Sequence, residues 1–121
     1  MNYSRQEKLK AELVMAGFWE ANAPSDPTKH WTALEELCER VQKRLAEAAS
    51  LFVSPLDGGR QSYQVLLSYK NEDRIIGMGE DIYEAMCTAA VTLPALLAQH
   101  PEYAAANSSK SRENSDLLIS Q

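Results

Sequence analysis

Cysteine, histidine and glycine are all scarce in this chain: two, two and five among 121 residues. His30 and His100 lie far apart, and no Cys-x2-Cys or His-x3-His spacing occurs, so no metal site or cofactor is expected. Cys87 has only His100 near it in sequence and sits among alanines and Met86, which reads as packing and not as an activated nucleophile. Cys38 and Cys87 are expected to be buried free thiols in a reducing cytoplasm. Positive charge is also short. Seventeen acids against twelve Lys and Arg give a net charge of −5, a poor match for a polyanion, so no nucleic-acid partner is expected. Long apolar runs are missing too. The polar start Met1 to Lys8 leads into no signal-type stretch, so secretion is not expected. Ile82 to Ala98 contains Glu84 and Pro94 and falls short of the ~20 residues of a membrane span. It reads as a core helix, and no membrane partner is expected.

What is present is alanine, sixteen of them, within a 45% hydrophobic content that indicates a modest, helix-rich core. The chain divides into an N-terminal helix (1–22), an α-β-β-β-α unit (26–101) and a mobile tail (102–121). Ser4-Arg5-Gln6-Glu7 has the spacing of a capping box, Leu9, Leu13 and Ala16 follow at helical period, and Gly17 is a natural stop. Pro24 and Pro27 mark a turn-rich linker. A second helix is predicted from Thr28 to Ala48, with Trp31, Leu34, Cys38, Val41 and Leu45 on one stripe. Glu36→Arg40 and Glu39→Lys43 are well-oriented pairs on its wet face.

Three strands follow: Leu51–Val53, Tyr63–Tyr69 and Arg74–Met78, with turns at Asp57-Gly58-Gly59 and Lys70-Asn71-Glu72-Asp73. Connections this short predict an antiparallel meander. The last helix starts near Glu80 or Asp81, and Pro94 should kink or end it about one turn later. The fold class is therefore α+β, a three-stranded antiparallel sheet covered by helices. Apolar residues at both parities, Leu51 and Val53 against Phe52 and Val65 against Leu66, predict that both sheet faces are partly covered.

Gly77-Met78-Gly79 lies between strand and helix, where phosphate loops occur. Glu80 and Asp81 stand where the anion would bind, so the glycines read as a tight turn. The same segment, with Ala85 and Ala89-Ala90, resembles the end of a double-stranded-RNA-binding domain. Ile82, Tyr83 and Met86 stand where that family has its lysines, so the likeness implies architecture without RNA binding. Aromatic side chains are the stronger functional signal. Phe18 and Trp19 follow the first helix, and Tyr63 and Tyr69 flank the middle strand, near Arg60 and Arg74. These six residues are the candidate partner-binding set, since Trp, Tyr and Arg dominate binding hot spots. The competing reading of Trp19 and Trp31 is as the large anchors of a small core.

Residues 26 to 97 resemble the small phage ABA sandwich domain of tailed phages and prophages. The likeness rests on Asp26-Pro27, the early Trp31 with Leu34, Asp57-Gly58-Gly59, and Ala85-Met86-Cys87-Thr88-Ala89-Ala90. It implies a phage source and a fold. The acidic charge, the lack of a catalytic constellation, the aromatics and the tail then point to a non-enzymatic accessory protein, cytoplasmic in a bacterial host, that binds a host or phage protein, counter-defence being one such role by family analogy. The alternative is a homo-oligomer that sequesters a nucleotide-like small molecule with Arg60 or Arg74 and Tyr63 or Tyr69 between subunits.

Overall fold

The computed structural model describes residues 1–56 and 62–105. Helix α1 (Tyr3–Met15) is followed by α2 (Trp31–Lys43), strands β1 (Ser50–Pro55), β2 (Tyr63–Tyr69) and β3 (Glu72–Gly79), helix α3 (Ile82–Gln99) and a 3₁₀ turn at Pro101–Tyr103. The α+β class and the antiparallel order β1-β2-β3 agree with the pattern in the sequence.

The cap of α1 is Asn2, not Ser4: its Oδ1 accepts from the Arg5 amide at 2.8 Å, so the helix is capped two residues earlier than the capping-box spacing predicts. At the other end Gly17 has φ +83°, the Gly17 amide donates to Val14 O and the Phe18 amide to Leu13 O. That paired bonding satisfies the last carbonyls and turns Phe18 inward. Helix α2 is shorter than its predicted span at both ends: Asp26 to Thr28 form a buried side-chain turn before it, and beyond the Arg44 cap the chain leaves the helix to bridge Leu45 with Ala104. Asp26 Oδ1 accepts from the Thr28 amide and hydroxyl at 2.9 and 2.6 Å. The β2–β3 turn is only Lys70-Asn71, both at positive φ, which leaves Glu72 and Asp73 inside β3.

Helix α3 is the centre of the molecule. The sheet packs on one side of it and α1 and α2 on others, so Ala85, Met86, Cys87, Ala89, Ala90, Leu93 and Leu96 are all buried. Asp81 caps it by accepting from the Glu84 amide at 2.8 Å, and the helix runs five residues past Pro94. By length and composition alone Ile82–Gln99 is apolar enough to cross a membrane; its central place in the core accounts for that composition.

Gly77 and Gly79 let β3 approach α3 closely. A Cβ on Gly77 would lie 2.4 Å from Ala85 O, and one on Gly79 would lie 2.5 Å from Ala85 N. Neither has positive φ, so the tight-turn reading is corrected: the glycines serve a strand–helix contact.

Two boundaries also move. Leu9 and Leu13 join the common core, and Arg5 bonds Glu84 at 3.1 Å and Thr88 at 3.4 Å, so α1 is part of the domain and not a separate unit. The predicted tail begins too early: Tyr103 is buried with its ring 5.1 Å from that of Tyr69, and the Ala46 amide donates to Tyr103 O. The remainder of that tail, from 106 on, and the turn at Asp57-Gly58-Gly59 lie outside the described residues.

Candidate interaction surface

The pairing register sorts the sheet into two unlike faces. Val65 and Leu67 are buried and lie opposite Val53 and Leu51 on β1 and opposite Gly77 and Arg74 on β3. That face meets α3. On the other, Phe52, Leu66 and Ile75 form one cross-strand row, and Gln64 beside Met78 forms the next. Between the rows a bulge leaves Ile76 unpaired, and its side chain is buried.

Phe52 and Ile75 are each 54% exposed and Met78 is 52% exposed. The expectation that both faces are partly covered holds on this face only for the half-buried Leu66, and is corrected for Phe52, Ile75 and Met78. With all three helices gathered on and around the α3 side, no described element covers the Phe52–Leu66–Ile75 row. An apolar row crossing three strands is a contiguous patch, unlike the scattered exposed side chains of ordinary surfaces.

A groove of about 360 Å³ lies on the other side of the sheet at the β1 edge, lined by Trp31, Leu34, Cys38, Val53, Ile82 and Met86 with Glu35 and Glu39 on its α2 bank. Trp31 is 52% exposed, so it is a groove wall and not the core anchor its stripe implies.

The candidate residues read from sequence are not brought together. Phe18 is 1% and Trp19 4% exposed. Arg40 lies over the Trp19 ring at 4.4 Å, Arg44 over Phe18 at 4.6 Å, and the Trp19 indole donates to Ser25 O at 3.1 Å. Arg40 also donates to Phe18 O and pairs with Glu20 and Glu36. Both aromatics are core anchors clamped by α2, and the binding role assigned to them is corrected. Tyr63 and Tyr69 stand half-buried at opposite ends of β2, the first opposite Gly79 and the second against Tyr103. Arg74 is exposed on β3, next to Ile75 in sequence but paired with Leu67 and so out of the row of Phe52. Arg60 lies outside the described residues. The residues missed, Phe52, Ile75 and Met78, carried a signal in their alternation. It was the two-sided apolar pattern itself, interpreted as cover on both faces.

Chemically reactive groups are deep. Cys87 is fully buried and donates to Pro27 O at 3.6 Å. Burial, with smaller contributions from Asp26, Cys38 and Asp81, pushes its thiol far above the ordinary value and holds it protonated. Partial burial, then Glu35, raises Cys38 in the same direction. Among the described residues no three His, Cys, Asp or Glu side chains converge to hold a metal ion. What the geometry offers is an apolar surface with a groove along one edge.

No protein-family model, curated protein or solved structure matches this chain, so the surface has to be judged on its own chemistry.

Proposed function

We propose that the protein is a non-enzymatic accessory factor of a phage or prophage, acting in the bacterial cytoplasm by binding another protein through the open face of its sheet. The observation that carries the binding role is the uncovered row Phe52–Leu66–Ile75 with Met78 beside it. Apolar side chains held on a hydrogen-bonded sheet are pre-ordered, so association buries them at little entropic cost. Polar Ser50, Ser54, Gln64, Ser68 and Asp73 border the row, as a polar rim borders a binding core. The phage origin rests on the resemblance of Asp26-Pro27, Trp31 and Ala85–Ala90 to the ABA sandwich pattern. Counter-defence is the narrowest form of the proposal.

The test compares the native chain with a Phe52→Thr, Ile75→Thr, Met78→Thr variant, in which threonine keeps strand propensity while removing the apolar patch. Each is used to capture proteins from host lysate with and without phage infection. A stoichiometric protein partner that the native chain retains and the equally well-folded variant loses is the expected result. Recovery of no such partner, or equal recovery by both, would remove the proposal.

A further inference from the structure

Among the described residues the sheet has two unpaired edges, and they are built differently. The β3 edge opens with Glu72, Asp73 and Arg74, all exposed, and carries the bulge at Ile76. Charges and bulges are the means by which sheets keep other strands away. The β1 edge has neither; its one guard is Pro55, at the end of the strand and outside Ser50–Ser54. Residues 48–56, Ala-Ala-Ser-Leu-Phe-Val-Ser-Pro-Leu, contain no charge at all in a chain of net charge −5. Neither face of β1 is sealed, for Phe52 is 54% and its neighbour Val53 43% exposed, on opposite sides of the strand. Among the described residues β2 is the sole strand paired with it.

We propose that β1 pairs antiparallel with β1 of a second copy of this chain, joining two three-stranded sheets into one of six. Ser50-Leu51-Phe52-Val53-Ser54 is chemically symmetric about Phe52, and so is matched to a second copy of itself. A two-fold axis normal to the sheet keeps each face on its own side, so side chains meet only those of the same face. Centred on Phe52, the joint sets Phe52 beside the partner's Phe52, Leu51 beside the partner's Val53, and Ser50 beside the partner's Ser54. Every pair matches in chemistry. Shifting the centre to Val53 sets Phe52 against serine and Leu51 against Pro55, and the match is lost. The neutral edge is also where two acidic chains can approach. Glu35 and Glu39 line the adjoining groove and oppose the approach, so the affinity is moderate. The open faces of the two copies run on into one another, doubling the apolar row. The inference stands on the β1 edge and not on the identity or existence of a foreign partner.

The test uses the purified full chain alone, by sedimentation equilibrium up to about 100 µM, a range that captures micromolar Kd values. The expected species is about 27 kDa, twice the 13.5 kDa chain. Two double variants then read the register. Ser50→Lys with Ser54→Lys sets like charges opposite each other at both ends of the joint and should raise Kd about tenfold or more. Ser50→Glu with Ser54→Lys sets opposite charges there and should leave Kd unchanged or lower. Circular dichroism confirms that both variants are folded. A native chain that stays monomeric at the highest concentration overturns the proposal. So does a dimer indifferent to the lysine pair, or one weakened equally by both variants.

Discussion

The two faces of one sheet are made of similar residues and differ in what they meet. Leu67 and Leu66 are neighbours in sequence and alike in chemistry, yet Leu67 is sealed under α3 while Leu66 lies in a row whose ends, Phe52 and Ile75, are open. The difference teaches that strand periodicity reports which residues share a face and is silent on what lies above it. Cover is decided by where the helices go. Here Gly77 and Gly79 draw α3 onto one face so closely that a single helix serves as the lid, with α1 and α2 stacked behind it.

This contrast can be broken by substitution, beginning on the covered face. Leu67→Ala should cost roughly 2–5 kcal/mol in denaturant unfolding, since it loses transfer energy and leaves a cavity against α3. A cost below about 0.5 kcal/mol, as at exposed sites, would mean that the face is not the core. Gly77→Ala is next. Its Cβ meets Ala85 O and Ala89 N, both backbone atoms, so β3 and α3 must separate, at roughly 1–3 kcal/mol. The same change in a merely tight turn would be far milder.

Alkaline titration sharpens the contrast from inside the core. The Cys87 thiol is raised above its ordinary value of 9.0, so the folded state holds its proton longer than the unfolded chain does. Stability is therefore full below about pH 9 and falls as pH rises beyond it, by at most about 1.4 kcal/mol per pH unit for this one group. Urea unfolding between pH 8 and 10.5 should show the decline, and Cys87→Ala should flatten it. A slope that survives the substitution would place its origin elsewhere. The smallest effect belongs to the open face: Phe52→Thr or Ile75→Thr should shift unfolding by about 0.5 kcal/mol or less. A loss comparable to that of Leu67→Ala would show that something covers this face.

Particular residues mark how far the sequence could be read. Gly17 as the stop of α1, Asp81 at the start of α3 and the alternation of Tyr63–Tyr69 follow from local rules, because each depends on backbone geometry within a few residues. Phe18 and Trp19 misled because a loop position favours exposure. Their burial depends on Arg40 and Arg44, some twenty residues away, folding back across the rings. Trp31 misled in the opposite sense: it keeps the helical stripe of α2, but it stands in the first turn, half of it exposed, and walls a groove instead of filling the core. Of the candidate surface, only the apolar alternation was legible.

Hydrophobic period, caps and turn residues, all of them short-range, by themselves determined the element order, the antiparallel meander and the scarcity of reactive groups. Tertiary structure alone decided which face of the sheet, among the described residues, is left without a helix over it and which strands end up at its edges. Those outcomes depend on the docking of α3 through Gly77 and Gly79, a contact between backbones that no periodicity in side chains encodes.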